Sequence, residues 1–174
     1  MAIVAPHGGG IEPGTSEIAE AIAGRYFSFY SFDGLRSSDN ELLHITSTRF
    51  DEPKCLNLIE HTDVVVTVHG CAGSDQVVFV GGLDIDFGEQ IVRMLGQAGV
   101  RAIRAEARYT GDQQENICNR GRSGRGVQLE ITESLRRTMF RGLDRKGRLS
   151  KTEVFRTFVR TVQNSLLAYD SHMH

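Results

Sequence analysis

Cysteine is scarce in this chain: Cys55, Cys71 and Cys118 are the three it has, and no two of them stand as a C-x-x-C pair. That argues against a disulfide scaffold, since bridging two would leave an odd thiol, and it suits a reducing compartment. An excess of one charge is lacking as well. The 20 basic and 22 acidic side chains leave a formal net charge of −2, so no global field favours nucleic acid or an anionic membrane surface. Any anion binding must be local. Apolar runs fall far short of the ~20 residues a membrane span requires, and the first residues enter a strand instead of a charged leader. The expectation is a soluble protein, cytoplasmic as synthesised and able to act outside the cell after lysis, with no membrane or nucleic-acid partner. Repeats and low-complexity blocks are missing too. The 174 residues suit a single domain, 1–174, expected to be monomeric.

What is present is an alternation of short apolar runs with helical patterns, which predicts an α/β fold: a central sheet with helices on both faces, three layers in all. Strands are predicted at Ile3–Ala5, Tyr26–Ser31, Leu42–Thr46, Asp63–His69, Gln76–Val80, Ala102–Glu106 and Val127–Ile131. The β-branched run Val64–Val68 suits a central strand covered on both faces. Helices are predicted at Thr15–Gly24, Pro53–His61, Asp84–Gln97, Asp112–Cys118, Glu133–Phe140 and Lys151–Ala168. In the last of these, Val154, Phe155, Phe158, Val159, Val162 and Leu166 recur at three- and four-residue steps behind a Ser150-x-x-Glu153 capping box. The segment Arg141–Leu149 reads as a basic, solvated loop. His61 most simply ends a helix, and His172 and His174 fall in the tail.

The segment Ala5-Pro6-His7-Gly8-Gly9-Gly10-Ile11-Glu12 sets a histidine and a carboxylate either side of a glycine run. Ligands of one ion must sit about 3 Å apart, whereas five extended residues span roughly 17 Å, so the chain has to fold back between His7 and Glu12. Glycines permit that turn and leave room beside an ion. A phosphate cradle is the competing reading, but no Walker lysine follows and Glu12 stands where an anion would be repelled. A second histidine, His69, emerges where the central strand opens into Gly70-Cys71-Ala72-Gly73. Ligands of open α/β sheets gather at the carboxyl ends of strands. His7, Glu12 and His69 would then form a His₂Glu set of the kind that binds catalytic zinc with one position left for water. Cys71 reads as a small buried group, because a thiolate there would close the site.

Glu130 lies among Val127, Leu129 and Ile131, where an ionised carboxylate is costly unless paired. Beside a metal-bound water it would serve as the base. Glu133 reads instead as a first-turn helix residue. The arginines of Asn119-Arg120-Gly121-Arg122-Ser123-Gly124-Arg125 offer paired donors to carboxylates, and no aromatics between Cys118 and Gly126 supply stacking for bases. Asn119, Arg120, Arg122 and Arg125, with His44 and Arg49 at the end of another apolar run, are the candidates for holding an anionic substrate.

With these pieces in order, the chain resembles the poly-gamma-glutamate hydrolase family of bacteria and their phages from about Ala2 to Leu135. The matching motifs are Ala5–Thr15, Leu43-His44-Ile45-Thr46-Ser47, Val68-His69-Gly70-Cys71, Gly81-Gly82-Leu83-Asp84, and Asn119-Arg120-Gly121 with Gly126-Val127-Gln128-Leu129-Glu130. The resemblance implies a zinc-carboxypeptidase-like fold, a zinc cofactor held by His7, Glu12 and His69, and Glu130 as the proton shuttle. It also implies cleavage of gamma-glutamyl amides in poly-gamma-glutamate or another glutamate-rich anionic substrate. Alternatives are a zinc amidase acting on N-acyl glutamate or peptidoglycan peptides and, in a different class, a phage replication-associated nucleic-acid binder using Arg120–Arg125 and Arg141–Arg148.

Overall fold

A computed structural model describes residues 1–172; His174, read as a tail residue, lies outside the described residues. Six strands form one sheet: β1 Ala2–Gly9, β2 Ser28–Gly34, β3 Val65–Cys71, β4 Val78–Gly81, β5 Ala102–Arg104 and β6 Val127–Thr132. Their spatial order is β2-β1-β3-β6-β4-β5. β2, β1, β3 and β6 run parallel, while β4 is antiparallel to β6 and parallel to β5, so the sheet is mixed. The valine-rich β3 sits between β1 and β6 with residues 65–69 all buried, as its composition requires of an internal strand.

Strand alternation divides the core in two. Ile3, Val66, Val68, Leu129 and Ile131 face one side, packed against α1 (Thr15–Ala23), α3 (Ile85–Gln97), α4 (Glu133–Met139) and α5 (Glu153–His172). Val4 and Val65 face the other, packed with Phe50, Cys55 and Ile59 beside α2 (Pro53–Glu60). The fold is the three-layer α/β/α arrangement expected. On α5, Phe155, Phe158, Val162 and Leu166 are buried, each contributing roughly 1.5–3 kcal/mol, whereas Val154 is exposed. The cap of α5 is Thr152, whose hydroxyl accepts from the Phe155 amide at 3.4 Å, so Ser150 does not serve as the N-cap. No helix among the described residues is long and apolar enough to cross a membrane.

Three expectations are corrected. Leu42–Thr46 is no strand: a 3-10 turn covers Asn40–Leu43 with Leu42 pointing to solvent, and the Asn40 side chain anchors that turn by accepting from the Arg36 amide at 2.9 Å and donating to the Arg36 carbonyl at 3.0 Å. Asp112–Cys118 is no helix, because polar side chains there satisfy the backbone locally; Asn116 accepts from the Cys118 amide at 3.1 Å and opens a 3-10 turn at Ile117–Asn119. Within the basic loop, Arg148 is buried, donating to Glu17 at 2.7 Å and to the Leu143 carbonyl at 2.6 Å.

Candidate metal centre

His7, His69 and Glu130 lie toward the carboxyl ends of β1, β3 and β6, adjacent in the sheet. His69 and Glu130 are direct register partners and therefore share a face, the one carrying α2. His7 reaches that face by an irregularity. Simple alternation from Ile3 and Ala5 would send it toward α1, but β1 carries one extra residue between the pairs Ala5↔Ser31 and Gly8↔Asp33. This bulge resets the phase and turns the imidazole toward His69 and Phe50.

The loop after β1 folds back as the ligand distance demanded: the Glu12 amide donates to the His7 carbonyl at 2.9 Å, and the Thr15 hydroxyl donates to the Glu12 carbonyl at 2.9 Å. Gly9 takes φ +65°, and a Cβ there would meet the Gly34 carbonyl oxygen at 2.5 Å. Gly8 and Gly10 are similarly hemmed in by Asp33 and Asn40. The glycines thus seat the loop against the end of β2 and do not themselves supply room for a ligand. The room is a cavity of about 410 Å³ bounded by the segments around His44–Thr48 and Tyr109–Gln113.

At the floor of this cavity three side chains converge. His7 Nδ1 lies 3.0 Å from Glu12 Oε1 and 3.1 Å from His69 Nδ1, and His69 Nδ1 lies 3.7 Å from Glu12 Oε2. The donor atoms of the three residues all fall within 4.8 Å of one another. His7 Nε2 donates to the Ile45 carbonyl at 2.6 Å, which assigns the proton to that nitrogen and leaves Nδ1 a bare lone pair. Once His69 Nδ1 gives up a proton, a lone pair, a carboxylate and a second imidazole nitrogen face one another, an acceptor set suited to a cation. Two histidine nitrogens on one tetrahedral ion would stand ~3.3 Å apart, close to the spacing found. The donor set fits a zinc-type ion.

The electrostatics agree. Burial lowers His7 below its ordinary pKa, although the Glu12 carboxylate beside Nδ1 favours the protonated ring. For Glu12, burial works upward, but contacts with His44, His69 and His7 outweigh it and hold the carboxyl well below the usual range. His69 is raised, the pull of Glu12 and Glu130 exceeding the effect of its burial. The Gly70 amide donates to Glu12 Oε2 at 2.8 Å, fixing the second carboxylate oxygen. Burial pushes the Cys71 thiol up to about 11, and Cys71 is not one of the three residues whose donor atoms converge.

Glu130 is buried, and burial raises its carboxyl to about 7, with His69 pulling down and Glu12 pushing up. Its Oε1 accepts from Gln128 Nε2 at 3.2 Å; Gln128 in turn accepts from Asn116 at 3.0 Å and donates to the Tyr109 carbonyl at 3.3 Å. Glu133, as expected, opens α4 and pairs with Arg137 at 2.6 Å.

The substrate candidates divide. His44 stacks on His7 with centroids 3.8 Å apart, its Nε2 3.6 Å from Glu12, and stands half-exposed on the cavity wall. Arg49 and Arg120 line an adjoining cavity of about 470 Å³ that shares Thr48 with the first, and Arg120 donates to the Phe50 carbonyl at 2.7 Å. Arg122 is not brought to the site. It pairs with Asp63 at 3.1 Å, just before β3, roughly 20 Å of strand from His69. Arg125 pairs with Asp84 at 3.9 Å, beyond the amino end of β6. Asn119 is not brought to either cavity: it is buried and engaged with the backbone, accepting from the Leu83 and Gly126 amides and donating to the Gly111 and Gln113 carbonyls. It ties down the loop that walls the cavity.

Residues that sequence reading passed over include Gln128, Tyr109 and Ser47, which lies 3.4 Å from His69 Nε2. Gln128 carried a signal, standing two positions from Glu130 and so on the same strand face. Tyr109, held at φ +62°, carried none.

A family model described as Poly-gamma-glutamate hydrolase matches residues 1–161. The SPbeta prophage-derived UPF0714 protein YoqZ of Bacillus subtilis (strain 168) is 41% identical over 160 residues, covering 90% of this chain and 58% of that protein. UPF0714 protein YndL of the same organism is 38% identical over 159 residues, covering 90% and 63%. The chain thus spans about three-fifths of the length of these curated relatives. Among solved structures, that of a bacteriophage poly-gamma-glutamate hydrolase matches with a TM-score of 0.95 at 36% identity, covering 98% of this chain and 84% of that one. A zinc-free structure, YNDL-apo, matches with a TM-score of 0.91 at 36% identity, covering 95% and 83%.

Proposed function

The chain belongs to the poly-gamma-glutamate hydrolase family, and from that premise we propose that it is a zinc-dependent hydrolase, acting as a single-domain monomer on gamma-glutamyl amide bonds of poly-gamma-glutamate. The observation that carries the reading is the convergence of His7 Nδ1, His69 Nδ1 and the Glu12 carboxylate in one cavity with a buried Glu130 raised to about 7. His7, Glu12 and His69 would hold the metal. Bound there, zinc would supply Lewis-acid activation of a water and of the amide carbonyl.

The protein's own groups supply the rest. Ile45 and the Gly70 amide hold His7 and Glu12 in their orientations. A carboxyl poised near 7 is matched to proton transfer at neutral pH. Glu130 accepts a proton from the attacking water and returns it to the leaving amine nitrogen, so that one water adds across the amide and a carboxylate and an amine depart. Gln128, donating to Glu130 Oε1, orients the carboxylate for both transfers. Arg49 and Arg120, one cavity away, receive carboxylates of an acidic polymer.

The YndL comparison, whose solved structure is named as zinc-free, supports zinc over another divalent ion. The pairing of Arg122 and Arg125 with aspartates away from the cavity weighs against a nucleic-acid surface there. The direct test is cleavage of poly-gamma-glutamate with product sizing, beside N-formylglutamate and cell-wall peptide, with and without a chelator. Shortened polymer that a chelator abolishes and zinc restores is the expected result. Cleavage indifferent to the chelator removes the metal from the reaction, and intact polymer beside cut peptide moves the substrate.

A further inference from the structure

Arg136, on α4, is 4% exposed, yet its hydrogen bonds among the described residues go to three main-chain carbonyls and to no carboxylate. Nη1 donates to the Pro13 carbonyl at 2.6 Å, Nη2 to the Cys71 carbonyl at 3.2 Å and Nε to the Ile131 carbonyl at 3.1 Å. Each acceptor lies beside a functional residue. Pro13 follows Glu12, Cys71 stands two places after His69, and Ile131 follows Glu130. A single planar guanidinium therefore joins the loop after β1 to the ends of β3 and β6.

The main chain at Gly70 is shaped to admit it. A Cβ on Gly70 would lie 2.6 Å from Cζ and 2.8 Å from Nε of Arg136, so only glycine lets the guanidinium lie flat against this strand. The Gly70 amide is also the donor that fixes Glu12 Oε2. The same short segment thus faces Arg136 on one side and a prospective ligand on the other. Burial lowers the pKa of Arg136, and the nearby Glu12 favours its charged form through space.

We infer that Arg136 is the positioning residue of this site, holding Glu12, His69 and Glu130 in mutual register through the three carbonyls next to them. The fork of the guanidinium is what the role requires. A lysine ammonium keeps the charge but cannot present donors in those fixed directions. The inference rests on the zinc-hydrolase reading and concerns no group that touches substrate.

The experiment compares full-length wild type, Arg136→Lys, Gly70→Ala and the double variant. Zinc affinity of the metal-free proteins is read by competition with a chromophoric chelator, their melting by circular dichroism, and kcat and KM on poly-gamma-glutamate. Gly70→Ala keeps the charge and displaces the guanidinium. Loss of a group orienting ligands typically weakens metal binding ~10–100-fold, and that loss is expected in each single variant, with kcat reduced and KM little changed. The double variant should lose no more than the worse single one, because both act through one contact. Should Arg136→Lys fail to fold, Gly70→Ala decides alone. Wild-type zinc affinity in a folded variant, or additive losses, overturns the inference. Failure of the wild type itself to bind zinc overturns the metal reading instead.

Discussion

Glu130 stands directly across the β3–β6 ladder from His69, so one pair of register partners brings a metal-type ligand and a buried carboxylate to the same face of the sheet. The proximity acts on both. Glu130 helps raise His69, and His69 restrains the upward push that burial exerts on Glu130. From this arrangement follow distinct roles for groups only one strand apart, and consequences that can be measured.

Replacing Glu130 by Gln removes the proton acceptor while nearly preserving shape. Turnover of poly-gamma-glutamate should fall by ~10²–10⁴-fold, the usual worth of a general base. Zinc content should persist, since Glu130 lies outside the three-residue donor cluster. Metal analysis beside product sizing checks both parts, and a fully active variant would put the base elsewhere.

Metal binding should strengthen with rising pH. His69 must shed any ring proton before its nitrogen can bind an ion, and its pKa is raised above the ordinary 6.5; His7, lowered, is already neutral there. The proton competes most below and around the raised value, so zinc affinity should climb as pH rises from below 6.5 and level off above that raised value, with release of protons. Calorimetry in buffers of different ionisation enthalpy measures that release. A flat affinity with no proton release would contradict the assignment of His69.

The arginines should separate by position. Arg49→Ala is expected to raise KM for the polymer a few-fold, about 1 kcal/mol for an exposed charge contact, with kcat retained. Added salt should raise the wild-type KM for the same reason. Arg122→Ala and Arg125→Ala, whose partners are Asp63 and Asp84, should leave KM unchanged. Steady-state kinetics on the four proteins distinguishes local capture of carboxylates from a diffuse basic surface.

Asn119→Ala should act on stability. It strips two carbonyls and two amides of their partner in a buried setting, a loss of roughly 2–4 kcal/mol. Urea unfolding of the metal-free protein should register it. Unchanged stability together with a raised KM would restore Asn119 to the substrate.

What the amino-acid order determined by itself was whatever short-range physics governs. The valine run from Val64 to Val68 demanded an internal strand, the apolar stripe of α5 demanded a buried face, and the glycine-rich segment between His7 and Glu12 demanded a return of the chain. His69 and Glu130 were legible because each interrupts or ends an apolar strand. Tertiary structure decided the remainder, because it depended on partners distant in sequence. The extra residue in β1, visible only against β2, turns His7 from the α1 side toward His69. Asn119 and Arg120 are adjacent, yet one is consumed by loop backbone while the other lines a cavity. Arg136 and Arg137 look alike on a short helix, but the approach of Pro13, Cys71 and Ile131 buries only the first. A residue's own chemistry states which bonds it can make; only the fold brings distant main-chain and side-chain groups close enough to select among them.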